Sequence, residues 1–358
     1  MNRRNFLRTT GTAAAVLGAG WPVHAQTLRK IKYTNPWVPE GSSVFSYVAR
    51  NKGIWRKRGL DVEVARGFGS MAATQAVGAG QFDFGYAASP AAVLQMAKGL
   101  PLTMIGQIEY VPSMGVGVLV DSPIRKPKDL EGKTMGSTPT SGDYPFLGAF
   151  AKSAGFDLSK VKVVHMDNQV RERALLEKQV DAISGFASST IPQVKSRGVD
   201  VRYMLMSSYG MKMYSLGLIT QRKILKEDPA LVEAFVDGTL EAVAWTIKNQ
   251  EEALDVFLQE IAELKMTSSG RDYTKIGLGI HTYITLVDEV KTHGFGWADP
   301  KVVEAMIDLV MDNVVKTDGK RPTLAEAFTN KFAGKYRLTD AEWTKATRDS
   351  AEWGKYLT

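Results

Sequence analysis

Apolar and polar residues follow two alternating periods along the chain, which predict a repeated order of strand and helix. From Leu28 onward, short runs with a period of two are followed by longer runs whose apolar residues recur every three to four positions. The first predicted helix has Val44, Tyr47 and Val48 on one face and ends at Gly59. The predicted strands of this series are RKIKYTN (29–35), DVEVAR (61–66), FDFGYA (82–87) and PLTMIGQI (101–108). Strand–helix units of this length are typical of a mostly parallel sheet covered by helices.

A second series with the same order of parts, although with different letters, begins near residue 115. Its predicted strands are GVGVLVDSP (115–123), DLEGKTMGS (129–137), KVKVVHM (160–166), VDAISGF (180–186) and VRYMLM (201–206). A further extended run, YSLGLITQ (214–221), follows, and from Pro229 onward the pattern is mainly helical. We therefore predict an α/β fold in which one lobe interrupts another, with hinge crossings near residues 113–120 and 214–220. The predicted first lobe is 26–112 plus 221–358, and the second lobe is 113–220.

The N-terminal segment has the pattern of an export signal and is not expected to belong to the fold. The twin arginine Arg3-Arg4 precedes a short, weakly apolar run that ends in small residues at Ala25. The twin arginine indicates the twin-arginine export route of bacteria, and we predict cleavage after Ala25 and a periplasmic location. A membrane anchor is the alternative, but the run is well short of the roughly 20 apolar residues that a span requires.

Charge and cysteine content exclude several classes of function. Removal of residues 1–25 takes away Arg3, Arg4 and Arg8, which lowers the formal charge from +7 to +4. Because no block of five or more basic residues occurs, a nucleic-acid partner is not expected. The chain has no cysteine, which rules out disulfides, thiol nucleophiles and zinc–thiolate sites.

Motifs for catalysis are weak or missing in the sequence. Beyond residue 25 the histidines are His165, His281 and His293, and none of them lies in an HExxH motif. GFGSMA (67–72) has the letters of a dinucleotide fingerprint, but Asp83 comes too early to be its acidic partner. We predict no catalytic residue, no metal and no cofactor. Lys212 and His165 are the candidates that an enzyme reading would have to use.

The turns after the predicted strands carry hydroxyl, glycine and aromatic residues that suit the capture of a small solute. In open parallel sheets, ligands bind at the carboxyl ends of the strands, where backbone N–H groups at helix starts point outward. GSTPTSGDYPF (136–146) combines such a turn with hydroxyls and rings, and it is not a P-loop because its second glycine precedes Asp143. The candidate ligand-binding residues are Trp37, Gly69, Ser70, Tyr86, Ala88, Ser89, Thr138, Thr140, Ser141, Gly142, Tyr144, Phe186 and Tyr209.

Purely structural roles remain open for several of these residues. Ser141 or Asp143 could simply cap the next helix, and any one of the aromatic residues could lie in the core. Arg171 and Arg173 could pair with a carboxylate across the cleft, but the run VRERALLEKQ (170–179) favours a solvated helix face for both.

The order of motifs resembles that of a known family, the extracytoplasmic solute-binding proteins of the nitrate, sulfonate, taurine and thiamine-pyrimidine-precursor group. The stretches that carry the resemblance, over roughly residues 29–220, are ARNKGIW (49–55), RGLDVEV (58–64), GQFDFGYA (80–87), MAKGLPL (96–102), KPKDLEGKTMGST (126–138) and LLEKQVDAISGF (175–186). The resemblance implies a type II periplasmic binding protein whose pocket lies between the lobes, at Trp37, Gly69-Ser70, Ala88-Ser89 and 138–144. Fungal pyrimidine-precursor synthases of the same group carry a cysteine-rich iron-binding motif, which this chain lacks.

The resemblance also implies a function and partners. We expect a monomer that captures a small organic solute, aromatic, heterocyclic or sulfonate-like and with an anionic group, and delivers it to the permease of an ABC transporter. A pyrimidine-precursor enzyme on the same scaffold and a ligand sensor for a membrane partner are the alternatives. The sequence leaves the identity of the solute open.

Overall fold

Two five-stranded sheets form the framework of the protein. The computed structural model describes residues 27–315, 317 and 319–357, so the predicted export signal and its cleavage site lie outside the described residues. The first sheet has the order β2-β1-β3-β10-β4, with strands β1 Arg29–Thr34, β2 Leu60–Ala65, β3 Phe84–Ala88, β4 Leu102–Gln107 and β10 Leu216–Gln221. The second has the order β7-β6-β8-β5-β9, with strands β5 Met114–Leu119, β6 Thr134–Ser137, β7 Lys162–His165, β8 Ala182–Phe186 and β9 Val201–Leu205. Each sheet with its helices is one lobe, which confirms the predicted two-lobed α/β fold.

One strand in each sheet runs against the others. β1 pairs in parallel with β2 and β3, and β6 pairs in parallel with β7 and β8. β10 and β5, in contrast, pair antiparallel with both of their neighbours. These two are the strands that the chain enters directly from the other lobe. Because the carboxyl ends of the parallel strands face the cleft, a strand that starts at the cleft must point the opposite way.

Helices cover both sheets and occupy most of the chain after β10. They are α1 Val44–Asn51, α2 Ser70–Gly78, α3 Ser89–Ala97, α4 Leu147–Ala154, α5 Arg171–Leu176, α6 Ala187–Lys195, α7 Arg222–Glu227, α8 Pro229–Lys248, α9 Gln250–Glu260, α10 Ala262–Lys265, α11 Gly270–Thr285, α12 Asp288–His293, α13 Pro300–Val310, α14 Leu324–Ala327 and α15 Asp340–Ser350. Within the described part of the chain, no helix combines the length and the apolarity that a membrane crossing needs.

An aromatic stack fastens α8 to the first sheet. The ring of Phe235 lies parallel to that of Phe84 at a centroid distance of 3.9 Å and to that of Trp55 at 5.5 Å. All three side chains are buried, and the Trp55 indole N–H donates to the Thr239 hydroxyl at 3.2 Å. Stacked aromatic pairs add roughly 0.5–1.5 kcal/mol each beyond their buried area. This rigid core holds the strand ends of the first lobe in place.

The chain passes between the sheets twice, at residues 108–113 and 210–215, and the two passages lie side by side. Glu109 N–H donates to the Leu216 carbonyl at 2.9 Å, and Ser215 N–H donates to the Glu109 carbonyl at 3.1 Å. The Glu109 carboxyl lies 2.9 Å from His281 Nδ1 on α11, and both side chains are buried. The two passages and α11 therefore meet at one point. The lobe boundaries at residues 113 and 220 stay a prediction.

Helix α11, which the sequence pattern did not single out within the predicted helical region after Pro229, joins both lobes. It packs against α6 of the second lobe and against residues Gly41–Ser43 of the first. Its Ile280 and Ile284 lie in the same buried cluster as the second lobe's Ile191 and Val194. The final segment adds Trp353 to that cluster. The C-terminal helices thus bridge the lobes rather than merely bracing the first one.

Candidate functional site

The carboxyl ends of strands from both sheets converge on one cavity between the lobes. The first lobe contributes residues that follow β1 and β2 and the residue that begins β10, and the second lobe contributes residues that follow β6, β7 and β8. The lining consists of Pro36, Trp37, Glu40, Ser42, Ser70, Ser141, Arg171, Phe186, Ser188, Ser189 and Leu216. In this conformation the cavity measures about 20 Å³, which is room for about one water molecule.

Backbone hydrogen bonds fix the loop after β1 that carries Trp37. Gly67 N–H donates to the Trp37 carbonyl at 2.8 Å, and Gly69 N–H donates to the Pro36 carbonyl at 2.7 Å. Gly69 has φ of 121°, a conformation that residues with a side chain rarely adopt. A Cβ there would also lie 2.0 Å from the Thr140 carbonyl oxygen of the other lobe. The loop is therefore held from two sides, which restrains the position of the indole.

Trp37 and Arg171 face each other across the cleft. The Arg171 guanidinium lies 5.1 Å from the centroid of the indole ring, within the range of a cation–π contact. The indole Nε1 is buried and has no hydrogen-bond partner, and the same holds for Arg171 Nη1. Buried polar atoms are almost always paired, so two unpaired donors on one cavity make it the candidate site for a ligand.

Arg171 is buried, which corrects the prediction of a solvated helix face. Its side chain is 1% exposed, and Nε donates to Glu172 Oε1 at 3.1 Å while Nη2 contacts the same oxygen. Thr190 Oγ1 also donates to that oxygen, at 3.0 Å. Burial alone would lower the pKa of Arg171, but attraction to the Glu172 carboxylate raises it overall. Arg173, two residues further on, is exposed as predicted and pairs with Glu177.

Glu40 is a buried acid that links the lobes and that sequence reasoning did not identify. Ser42 Oγ donates to Glu40 Oε1 at 2.8 Å, and Ser189 Oγ, from the second lobe, donates to the same oxygen at 3.0 Å. Glu40 Oε2 is buried without a partner. Burial raises the pKa of Glu40 to about 8, although the two serine hydroxyls act in the opposite direction.

The turn after β6 presses against the first lobe. Met71 N–H donates to the Thr140 carbonyl at 3.0 Å, and the Thr140 hydroxyl donates to the Phe68 carbonyl. A Cβ on Gly142 would lie 3.0 Å from both Ala88 Cβ and Ser70 Cβ, so glycine permits the lobes to touch there. Ser141 donates to the Asp143 carboxyl, and neither side chain caps the following helix.

The structure brings some of the predicted residues to the cavity and places others elsewhere. Trp37, Ser70, Ser141 and Phe186 line it. Five others lie in the surrounding contact between the lobes or beside it, namely Gly69, Ala88, Thr138, Thr140 and Gly142. Ala88 N–H donates to Ser70 Oγ at 3.0 Å, and Thr138 Oγ1 is buried and unpaired.

Four further predicted residues also do not line the cavity in this conformation. Tyr86 is fully buried and packs edge-on against Phe45 at 5.3 Å in the first lobe's core. Ser89 donates to Gln107 beside the crossings, at 2.9 Å. The remaining two pack within the second lobe, where the Tyr144 hydroxyl lies 2.9 Å from His165 Nε2 and the Tyr209 ring lies 5.7 Å from that of Phe150.

The two residues that an enzyme was predicted to use lie outside this site. Lys212 and His165, the candidates for an enzyme, are both exposed and do not belong to the cavity lining. Among the described residues, no group of three histidine, cysteine, aspartate or glutamate side chains could hold a metal ion. The geometry therefore offers hydrogen bonds, one guanidinium and flat side chains, which are the means of reversible binding.

Comparison with known proteins places the chain in a family. A relative from Halalkalibacterium halodurans, named formylaminopyrimidine-binding protein, is 25% identical over 65% of this chain and 71% of its own length. Another relative is the 4-amino-5-hydroxymethyl-2-methylpyrimidine phosphate synthase of Legionella pneumophila, 25% identical over 68% of this chain and 76% of its own.

Solved structures share the fold. The alkanesulfonate-binding protein SsuA from Xanthomonas axonopodis pv. citri, bound to MOPS, superposes with a TM-score of 0.64 at 14% identity. The superposition covers 84% of this chain and 98% of that one. A profile of the family described as NMT1/THI5 like matches residues 41–253, which is more than half of the chain. The protein belongs to the NMT1/THI5-like family.

Proposed function

We propose that this protein is an exported solute-binding protein of an ABC importer. It captures a small organic solute, aromatic, heterocyclic or sulfonate-like and carrying an anionic group, between its lobes. It then delivers the solute to a permease in the inner membrane. A binding role is supported by the name of the formylaminopyrimidine-binding relative and by the shared fold of the alkanesulfonate-binding structure.

One observation carries the proposal: three unpaired polar atoms belong to residues that line the same closed cavity. Trp37 Nε1, Glu40 Oε2 and Arg171 Nη1 are all buried without a hydrogen-bond partner. Each unpaired buried polar group costs about 1–3 kcal/mol. A solute with matching groups would remove this cost and so favour the closed arrangement of the lobes.

Capture requires the lobes to separate. A cavity of about 20 Å³ admits no organic solute, so entry needs rotation about the paired crossings at Glu109 and Ser215. A ligand that contacts both lobes shifts the equilibrium towards the closed form. Separation of the lobes breaks the hydrogen bonds that Thr140 and Ser189 make between them.

A thermal-shift screen on residues 26–358 tests the proposal. The panel contains alkanesulfonates including MOPS, nitrate, aromatic carboxylates, pyrimidines and flavins. We expect at least one class to raise the melting temperature, because a ligand at a hundredfold excess over its Kd stabilises the native state by about 2.7 kcal/mol. Absence of any stabilisation across the panel would contradict a solute-binding role.

Delivery to a transporter is tested separately from binding. Radiolabelled solute from the screen should enter cells that carry the gene, and uptake should stop in a deletion strain that keeps its growth on unrelated nutrients. Uptake that is unchanged by the deletion, together with altered transcription in response to the solute, would favour the ligand-sensor alternative.

A synthase is the second candidate, because one relative bears that name. The described cavity lining has neither lysine nor histidine, so the two residues named for an enzyme, Lys212 and His165, do not reach it. Incubation of the protein with each stabilising solute, followed by mass spectrometry, distinguishes the two. Full recovery of the unaltered solute supports binding, and a new product supports the enzyme.

A further inference from the structure

We propose that Glu40 keeps a proton inside the closed cleft and donates it as a hydrogen bond to an anionic acceptor group of the solute. The inference rests on the proposed function and specifies the chemistry of the same site: a carboxylate or sulfonate is captured by three donors, and its capture is coupled to the protonation of one side chain.

The hydrogen bonds around Glu40 determine which oxygen can carry the proton. Oε1 accepts from the hydroxyls of Ser42 and Ser189, at 2.8 and 3.0 Å. An oxygen that already accepts two hydrogen bonds is a poor place for a proton, whereas Oε2 has no partner. The protonated form therefore places O–H on Oε2, the oxygen left free for a ligand.

The charges that surround Glu40 favour the protonated form. Glu109, from the first crossing, and Glu172, from α5, both act on it with negative charge, and Glu40 itself is 4% exposed. The guanidinium of Arg171 directs Nε and Nη2 at Glu172 rather than at Glu40.

The other titratable groups on the elements around Glu40 are two phenols and a histidine. Tyr273 on α11 and Tyr86 on β3 are buried phenols whose pKa values are raised, in both cases mainly by burial. His281, also on α11, hydrogen-bonds to Glu109 rather than to Glu40. Together with burial, these surroundings give Glu40 a pKa of about 8, so near neutral pH it is mostly an uncharged acid.

When Glu40 is protonated, Trp37, Arg171 and Glu40 present three hydrogen-bond donors to the cavity and no free acceptor. The donors are the Trp37 indole N–H, the free Arg171 Nη1 and the Glu40 Oε2 hydroxyl. Hydrogen bonds from charged or acidic donors to an anion are among the strongest in proteins. Ionised Glu40, in contrast, would place a second negative charge against the same anion. The affinity for an anion should therefore fall when Glu40 loses its proton.

Calorimetric titration with four benzene derivatives between about pH 6 and pH 10 tests this coupling. The probes are benzoate, benzenesulfonate, the neutral benzamide and the permanent cation benzyltrimethylammonium. For the wild type we expect an anionic probe to bind, with Kd that rises about tenfold per pH unit above about pH 8. Glu40→Gln, whose amide mimics the protonated acid, should bind the same probe with no such rise. The matched control Glu177→Gln alters an exposed acid and should keep the wild-type profile.

The outcomes separate this inference from the proposed function. Binding of the cation that strengthens with pH, a pH-independent Kd for the anions, or no binding of either anion would each overturn it. If pyrimidines or flavins stabilise the protein while both anions fail, the solute-binding function stands and the anionic acceptor does not. Failure of every solute contradicts the function itself.

A measurement on the closed form checks the proton directly. With an anionic probe bound at saturation, the carboxyl ¹³C signal that disappears in Glu40→Gln should titrate with a midpoint at about 8 or above, and a midpoint near the ordinary value of 4.5 would overturn the proposal.

Discussion

At the scale of single residues, the buried pair of Arg171 and Glu172 sets the cost of altering the site. Both side chains are less than 4% exposed, and removal of one partner of a buried pair leaves the other charge without compensation. Arg171→Met should therefore lower the free energy of unfolding by about 3–5 kcal/mol. Urea denaturation followed by circular dichroism measures this loss.

Arg173→Met is the matched control for that change, because Arg173 lies on the same helix with its side chain 76% exposed. Exposed ion pairs contribute about 0–1 kcal/mol, so this variant should stay close to the wild type. Equal losses in the two variants would show that Arg171 is not buried as described.

Glu40 should make stability depend on pH. Its pKa is about 8 in the folded protein against an ordinary value of 4.5, so the folded state binds the proton more tightly than the unfolded one. The contribution of Glu40 is fully present below about pH 4.5 and is lost as the pH rises to about 8, which corresponds to up to about 5 kcal/mol. The difference between the melting temperatures at about pH 5 and pH 8.5 should be smaller in Glu40→Gln than in the wild type. A wild-type difference that Glu40→Gln leaves intact would assign the dependence to other groups.

The residues of the cavity were only partly predictable from the sequence. Trp37, Ser70, Ser141 and Phe186 were found because each follows a strand whose carboxyl end had to face the cleft. Arg171 was predicted to be solvated because helix periodicity distinguishes only the apolar face, which packs on the helix's own sheet, from the polar face. Periodicity cannot show that another part of the protein covers the polar face. Glu40 stands three residues after Trp37, but a lone acid in a loop has no periodic signal.

At the scale of elements, α11 is seated on the first lobe through a pair of glycines. A Cβ on Gly41 would lie 2.1 Å from the Gly277 carbonyl carbon, so the helix and the loop touch backbone to backbone. Gly41→Ala should push α11 away and cost about 1–3 kcal/mol, as overpacked sites do. Urea denaturation gives the cost, and hydrogen exchange should show faster exchange in 270–285.

Gly148→Ala provides the control for the glycine change. Gly148 lies within α4, and a Cβ there would meet no atom within 4 Å. Because alanine favours helix over glycine, this variant should gain about 0.5–1 kcal/mol. If both substitutions stabilise the protein, the close approach of Gly41 to α11 is wrong.

The elements themselves followed from the pattern with one major exception. All ten described strands lie within runs that the sequence marked as extended, or reach at most one residue beyond them, because buried strands are short, apolar and bounded by turn residues. Helix α11 escaped notice since its sequence, GRDYTKIGLGIHTYIT, is rich in glycine, threonine and isoleucine, which favour helices weakly. Packing against two lobes, rather than propensity, makes it a helix.

At the scale of the whole molecule, we expect closure of the two lobes to depend on Gly142, a small residue at the point where they meet. Valine at Gly142 would press against Ala88 and Ser70, whose Cβ atoms lie 3.0 Å from the position of its own Cβ. Gly142→Val should hold the lobes apart and weaken binding of the stabilising solute at least about tenfold. In X-ray scattering, the wild type should contract on addition of that solute while Gly142→Val does not. Equal contraction would show that closure does not pass through this contact.

The bridge formed by α11 and the C-terminal segment has a consequence for protein engineering. Because Ile280, Ile284 and Trp353 complete the buried cluster of the second lobe, that lobe is not a portable module although the chain inserts it as one continuous piece. A fragment cut at the two passages would expose the apolar surface that these residues cover, and it should aggregate. Chimaeras that exchange ligand specificity between relatives must therefore exchange α11 and the C-terminal segment together with the second lobe.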